Sequence, residues 1–307
     1  MEKRLNRSDL IFSLAFLLML VIAVASFFYG VKVGTERTEA KYETPEQTEI
    51  AVPALPNAYQ QQDLVSFYHT VFLPYREFQN EWFTVKSKWL AQGSVDPAAA
   101  LGELSKAAKK TYADVEKASV SKASPLLVEA QNSYLKSLKL FSDGFSDLAK
   151  SSGESQSADS LLSRIDANSY YKEGRSQSLA GQESYYTAML KWAATVDTDF
   201  PPDYDSPDIL SLTEWKSLPL LIKLKVSSDY LSGLREMMEF SPQDLTARID
   251  EFISSGQADR RKLKSFSAVA ELLTSTDGVR SGDFLRMKAR FYSNEQLPQL
   301  PFFFPDN

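Results

Sequence analysis

Glu183, in the stretch Glu183-Ser184-Tyr185-Tyr186, is the side chain whose type and setting come nearest to catalysis. A glutamic acid on a helix can protonate a glycosidic oxygen, the first step in cleaving a glycan. Asp197, Asp199, Asp203, Asp205 and Asp208 crowd one short stretch, and carboxylates at alternate positions can converge on calcium. His69 is the only imidazole, available as a general base or a metal ligand. Tyrosines and tryptophans are numerous enough to form a face for stacking a sugar or a peptide. There is no cysteine, which removes disulfides, thiolate nucleophiles and cysteine-bound zinc.

Each of these has a plainer reading. The Glu183-Ser184 pair resembles that of lytic transglycosylases in those two residues alone. The glycine- and glutamine-rich stretch expected after such a pair is replaced by Thr187-Ala188-Met189-Leu190. Glu183 is therefore read as a surface residue beside core tyrosines. The aspartate stretch lacks the central glycine and closing glutamate of an EF-hand, so solvation and helix capping explain it, with a weak calcium site as the alternative. No partner for His69 can be identified. Aromatic residues at helical spacing belong to a core more often than to a groove. No nucleotide-binding loop, metal motif or nucleophile constellation is present, so no catalytic, cofactor or metal residue is expected.

The elements that would position these residues begin with a membrane segment. From Leu10 to Val31 the chain has 22 residues without a charged side chain. As a helix this run is about 33 Å long, enough for a hydrocarbon core of roughly 30 Å. Lys3, Arg4 and Arg7 precede it and favour a cytosolic N-terminus, although Lys32, Arg37 and Lys41 follow it. The Ala23-Val24-Ala25 triplet could be cut by a signal peptidase after Ala25. The apolar run continues through Phe27, Phe28 and Tyr29, which favours a retained anchor. The expected layout is a cytosolic tail (1–9), a transmembrane segment (10–33), an acidic, proline-bearing linker (34–57) and two helical lobes (58–197 and 198–307). No second span is expected.

The body is expected to be all-α, an elongated multi-helix bundle with coiled-coil-like packing. Leu64, Tyr68, Val71, Tyr75, Phe78, Trp82, Val85 and Trp89 recur at spacings of four and three, a seam of period 3.5. Pro74 lies inside that seam and predicts one kinked helix. Such bulky knobs call for small residues on the facing helices. Asp96-Pro97, Ser124-Pro125, Ser206-Pro207 and Ser241-Pro242 each pair a capping side chain with a proline, and predict four helix starts. Between residues 158 and 196 the pattern permits one long helix, or two joined by a turn loosened near Gly174 and Gly181. Later helices are expected to end near Phe240, to run 258–274 and to run 282–292. No strand is expected. The phenylalanines at 302–304 are expected to pack back on the bundle.

Net charge is −6, with residues 1–33 at +2 and the remainder at −8. An acidic body argues against nucleic acid as a partner. The only glycosylation sequon, Asn6-Arg7-Ser8, falls on the tail, which fits a bacterial envelope better than a secreted eukaryotic domain. The functional expectation is a single-pass, extracytoplasmic scaffold or assembly factor acting through other envelope proteins or copies of itself. The alternatives are an envelope glycan-binding protein or enzyme using Glu183 or an aromatic groove, and a sensor-like ligand-binding bundle.

Overall fold

In the computed structural model, the described residues are 58–92, 94–152 and 156–305. The expected span and linker lie outside them. No helix among the described residues is long and apolar enough to cross a membrane. What they form is an all-helical bundle with one short strand pair.

The aromatic seam forms first. Helix α1 (Gln61–Phe67) passes through a π-helical turn (Tyr68–Phe72) directly into α2 (Leu73–Gln92). The π-turn is the form the expected kink takes. Pro74 lacks an N–H and its ring presses on the carbonyl of residue 70. Just before it the Leu73 N–H bonds the Tyr68 carbonyl, five residues back, which widens the ladder where the ring must fit. Leu64, Tyr68, Val71, Tyr75, Phe78, Trp82 and Trp89 are buried as the spacing requires, with Val85 half-buried. Phe67, Phe72 and Phe83 are buried as well, so the helix is embedded over a wider arc than one seam.

Helices α3 (Pro97–Glu116), α4 (Pro125–Ser151), α5 (Ala158–Ala167) and α6 (Ser169–Val196) add to the first core, which also takes in Leu220, Leu221, Leu224, Ala247, Phe284 and the C-terminal Leu300 and Phe303. The most extensive packing is of α4 against α6 and α3. The chain does not loosen at its glycines. It breaks at Asn168, whose side chain caps α6 by accepting from the Tyr171 N–H at 3.0 Å. Gly174 and Gly181 sit inside α6 as receptors for rings of α4. A Cβ at Gly174 would lie 3.1 Å from Phe141, and one at Gly181 would lie 3.0 Å from Tyr134. The rings they admit are those of α4 and not the knobs of the aromatic seam. The tyrosine hydroxyls are satisfied inside the core: Tyr75 bonds Ser137 at 2.7 Å, and Tyr185 donates to the Leu64 carbonyl at 3.2 Å.

Two expected features are corrected here. Residues Ser94–Val95 and Gln156–Ser157 form a two-residue antiparallel ladder, β1 and β2, too short for any alternation to register in sequence. No helix begins at Ser206-Pro207. The chain stays irregular to Ser211, whose hydroxyl accepts from the Glu214 N–H while the Glu214 carboxylate accepts from the Ser211 N–H at 2.9 Å. This reciprocal box starts α7 (Leu212–Ser217), and proline after serine suits extended backbone as well as a helix start. The other three starts stand where expected. Ser124 uses its hydroxyl differently, accepting from the Tyr59 N–H at 2.8 Å and donating to Asp63 at 2.7 Å.

The remaining helices are α8 (Leu220–Leu234), α9 (Pro242–Ser254), α10 (Gln257–Arg260), α11 (Phe266–Ser275) and α12 (Asp283–Phe291). Helix α8 ends before the expected Phe240, at a left-handed Arg235 with φ 56°. The expected 258–274 helix is two, separated by Lys262 at φ 58° and restarted by Ser265, which accepts from the Ala268 N–H. A second core of Trp215, Ile222, Leu245, Ile249, Phe266 and their neighbours fills this region. It borders a polar knot. The Asp250 carboxylate accepts from Trp215 Nε1 at 2.7 Å, from the Tyr292 hydroxyl at 2.7 Å, and from Lys223 Nζ at 3.0 and 3.2 Å. The C-terminal segment folds back, although Phe304, expected to pack with its neighbours, remains 37% exposed. Leu297, Leu300 and Phe303 are buried, and Phe302 meets Tyr68 at 5.6 Å between ring centres.

Candidate functional site

The residues singled out by chemistry do not converge. Ser184, Tyr185 and Tyr186 of α6 point into the core, and the Tyr186 hydroxyl bonds buried Gln243. Glu183 points the other way, toward α8. One turn of helix thus divides the Glu-Ser-Tyr-Tyr stretch into three core residues and one half-buried carboxyl. Glu183 faces Asp229, Lys225 and Ser232 on α8, and Glu129 on α4. Burial, and then the Asp229 charge, raise its carboxyl above the ordinary range. The Ser232 hydrogen bond and Lys225 act in the opposite sense.

Asp229 is raised as well, first by burial. Lys225 pulls it down from 2.6 Å, and Asp205 in the aspartate stretch pushes it up. Its other oxygen, Oδ1, and the neighbouring Ser228 hydroxyl are buried without a hydrogen-bond partner among the described residues. Both carboxyls are thus raised by burial first, Glu183 also by the charge of Asp229 and Asp229 also by that of Asp205. Glu183 lines neither the cavity around Arg248 and Arg286 nor the cleft around Gln79 and Met237.

This geometry has a pH consequence. Glu183 is harder to ionise in the folded chain than in the unfolded one, whose carboxyl titrates near 4.5. As pH rises from there the unfolded chain releases its proton first, so stability is lost through the window up to the raised folded value. Glu183→Gln removes that loss. Its melting temperature should exceed the parent's at pH 7 and approach it at pH 4, as thermal melts at the two pH values would show. An equal difference at both pH values would mean that the raised carboxyl has no effect on stability.

His69 lies exposed on the π-turn, edge-on to the Tyr68 ring at 5.0 Å. The aspartates lie in the irregular segment between α6 and α7. Asp197 accepts from the Asp199 N–H at 3.0 Å and Asp203 pairs with Lys191. Among the described residues, no three histidine or carboxylate side chains group closely enough to hold a metal ion. The segment is nevertheless held in place. Phe200 packs against both cores, Tyr204 packs on the second, Leu210 is buried, and the Leu210 carbonyl accepts from the Phe266 N–H at 2.9 Å. Between these anchors Ile209 stands 75% exposed beside exposed Asp205 and Asp208.

One feature is not apparent from motifs. Arg248, Asp277, Gly278, Arg280, Asp283 and Arg286 line a cavity of about 400 Å³. Its signal in the sequence is a local charge reversal. Residues 248–291 carry nine Lys/Arg against six Asp/Glu, inside a body that is otherwise acidic. No protein-family model, curated protein or solved structure matches the chain.

Proposed function

We propose that the protein is a membrane-tethered, non-catalytic helical adaptor of a bacterial cell envelope, anchored by residues 10–31 with its body outside the cytosol. The observation that carries this reading is the segment between α6 and α7. Connections this long without secondary structure are uncommon in packed domains and usually functional when ordered. This one is pinned at several points and presents Ile209 among carboxylates. An exposed apolar side chain on a segment that also exposes two carboxylates suits a protein partner with a basic-rimmed apolar patch. A photo-crosslinking residue at Ile209 should give a discrete protein adduct in intact cells, weakened by replacing Asp205 and Asp208 with asparagine. The same residue at exposed Lys88 should give none. Equal labelling from both positions, or none from 209, would count against the adaptor.

A second reading, an envelope enzyme or glycan-binding protein, is favoured by the raised carboxyl of Glu183 beside Asp229. Incubation of the purified chain with peptidoglycan separates the two. Release of soluble fragments that is lost in Glu183→Gln would support the enzyme.

A further inference from the structure

The cavity between α9 and the start of α12 is lined by three arginines and two aspartates, with no apolar side chain. Its parts differ in how they are engaged. Asp283 is buried and its oxygens are occupied: Oδ2 accepts from the Arg280 N–H at 2.7 Å, and Oδ1 accepts from the Arg286 guanidinium. Arg248 Nε lies 3.7 Å from Oδ2 and donates to the Gly278 carbonyl at 2.8 Å, while its NH1 donates to Glu251 at 2.9 Å. Asp283 thus serves as a template that sets two guanidiniums along the wall, each with N–H groups left over.

Arg280 is not needed for that arrangement. It is exposed, and its guanidinium has no hydrogen-bond or ion-pair partner among the described residues. Asp277, the other carboxylate of the lining, is exposed at a left-handed turn with φ 48°. Arg286 is paired with Asp283 and Arg248 with Asp283 and Glu251, so the Arg280 guanidinium is the positive group of the lining left without a counter-charge among the described residues. An anion entering the space supplies one.

We propose that this cavity binds a small, hydrophilic, phosphate-bearing ligand, with Arg280 completing a cradle formed by Arg248 and Arg286. Guanidinium forks arriving from three chain positions suit the several oxygens of a phosphoryl group better than the two of a carboxylate. A volume of about 400 Å³ falls in the range of small-molecule sites, so the ligand carries a body beyond the phosphate. The charged side chains of the lining favour a hydroxyl-bearing body, a polyol or sugar. Soluble phosphate esters and phospholipid headgroups share this chemistry.

The test uses the full-length protein in detergent and calorimetric titration with two probes. Glycerol 3-phosphate is a monoester and represents the soluble source. Glycerophosphoglycerol is a diester and represents the headgroup. Saturable binding of at least one probe is expected, weakening as salt rises. Arg280→Ala should weaken it about tenfold or more, the effect of losing one charge-assisted bond. The ester that binds more tightly names the source. Because the Arg280 side chain has no partner among the described residues and alanine keeps the backbone N–H that Asp283 accepts from, the variant should melt with the parent in the absence of probe. Absence of saturable binding by both esters, or equal binding by parent and Arg280→Ala, would overturn the proposal.

Discussion

Asp250→Ala is expected to destabilise the helical body by about 3–5 kcal/mol, the usual cost of removing one partner from a buried charged pair. The Asp250 and Lys223 side chains are only 11% and 10% exposed. Loss of the carboxylate strands three donors at once: the Lys223 ammonium, the Trp215 indole N–H and the Tyr292 hydroxyl. The Lys223 ammonium lies 5.4 Å from the centre of the Trp215 ring, so a face of the indole remains as partial compensation. The knot also joins distant parts of the chain, since Trp215 lies on α7, Lys223 on α8, Asp250 on α9 and Tyr292 just past α12. Its loss should therefore loosen the C-terminal segment together with the second core. Urea denaturation followed by tryptophan emission measures the effect. Asp250→Leu combined with Lys223→Met should be less destabilised than Asp250→Ala, because no unpaired charge remains buried. A single variant within about 1 kcal/mol of the parent would show that water replaces the carboxylate, and that the knot is marginal.

The second large effect is expected at Trp82. This side chain is 2% exposed, and its ring centre lies 5.3 Å from Phe145, 5.8 Å from Tyr171 and 6.0 Å from Trp89. Its indole N–H donates to the Tyr171 hydroxyl at 3.2 Å. Trp82→Ala removes transfer energy and leaves a cavity that rigid neighbouring rings cannot close, at a cost of about 3–5 kcal/mol. Trp82→Phe keeps most of the volume and isolates the hydrogen bond, worth about 1 kcal/mol. Exposed Lys88→Ala, on the same helix, is the control. Thermal melts should rank the variants Lys88→Ala, Trp82→Phe, Trp82→Ala in order of falling midpoint. If Trp82→Ala melted with the control, the ring would contribute to something other than the core.

Much of the first core was legible because its signals are local. A 3.5-residue period over eight positions leaves one buried face for a helix, and proline after a capping residue marks where a turn can begin. The same logic failed at Ser206-Pro207, where proline's fixed φ serves extended backbone equally well and the reciprocal bonds of Ser211 and Glu214 start the helix later. The glycines of α6 were legible as small residues but not as ring receptors. A glycine that loosens a turn and one that admits a phenyl ring have the same sequence, and only the position of Phe141 or Tyr134 tells them apart.

The candidate sites divide in the same way. The sequence by itself determined that helices would carry the body, that the bulky seam would be buried, and that the terminal phenylalanines would need cover, because burial of apolar surface follows from residue type and period. It also marked Glu183 as a carboxyl beside core residues. Only the tertiary structure decided which groups face that carboxyl, because Asp229 and Lys225 come from another helix and the charge felt by a titrating group depends on distance through space. The arginine cavity is the clearest case. Arg248, Arg280 and Arg286 are spread over 39 residues of sequence in no motif, and α9, the turn at Asp277 and the start of α12 bring them around one space. Helical periodicity is written into neighbouring residues, whereas a binding site is assembled from segments whose meeting depends on how the whole chain packs.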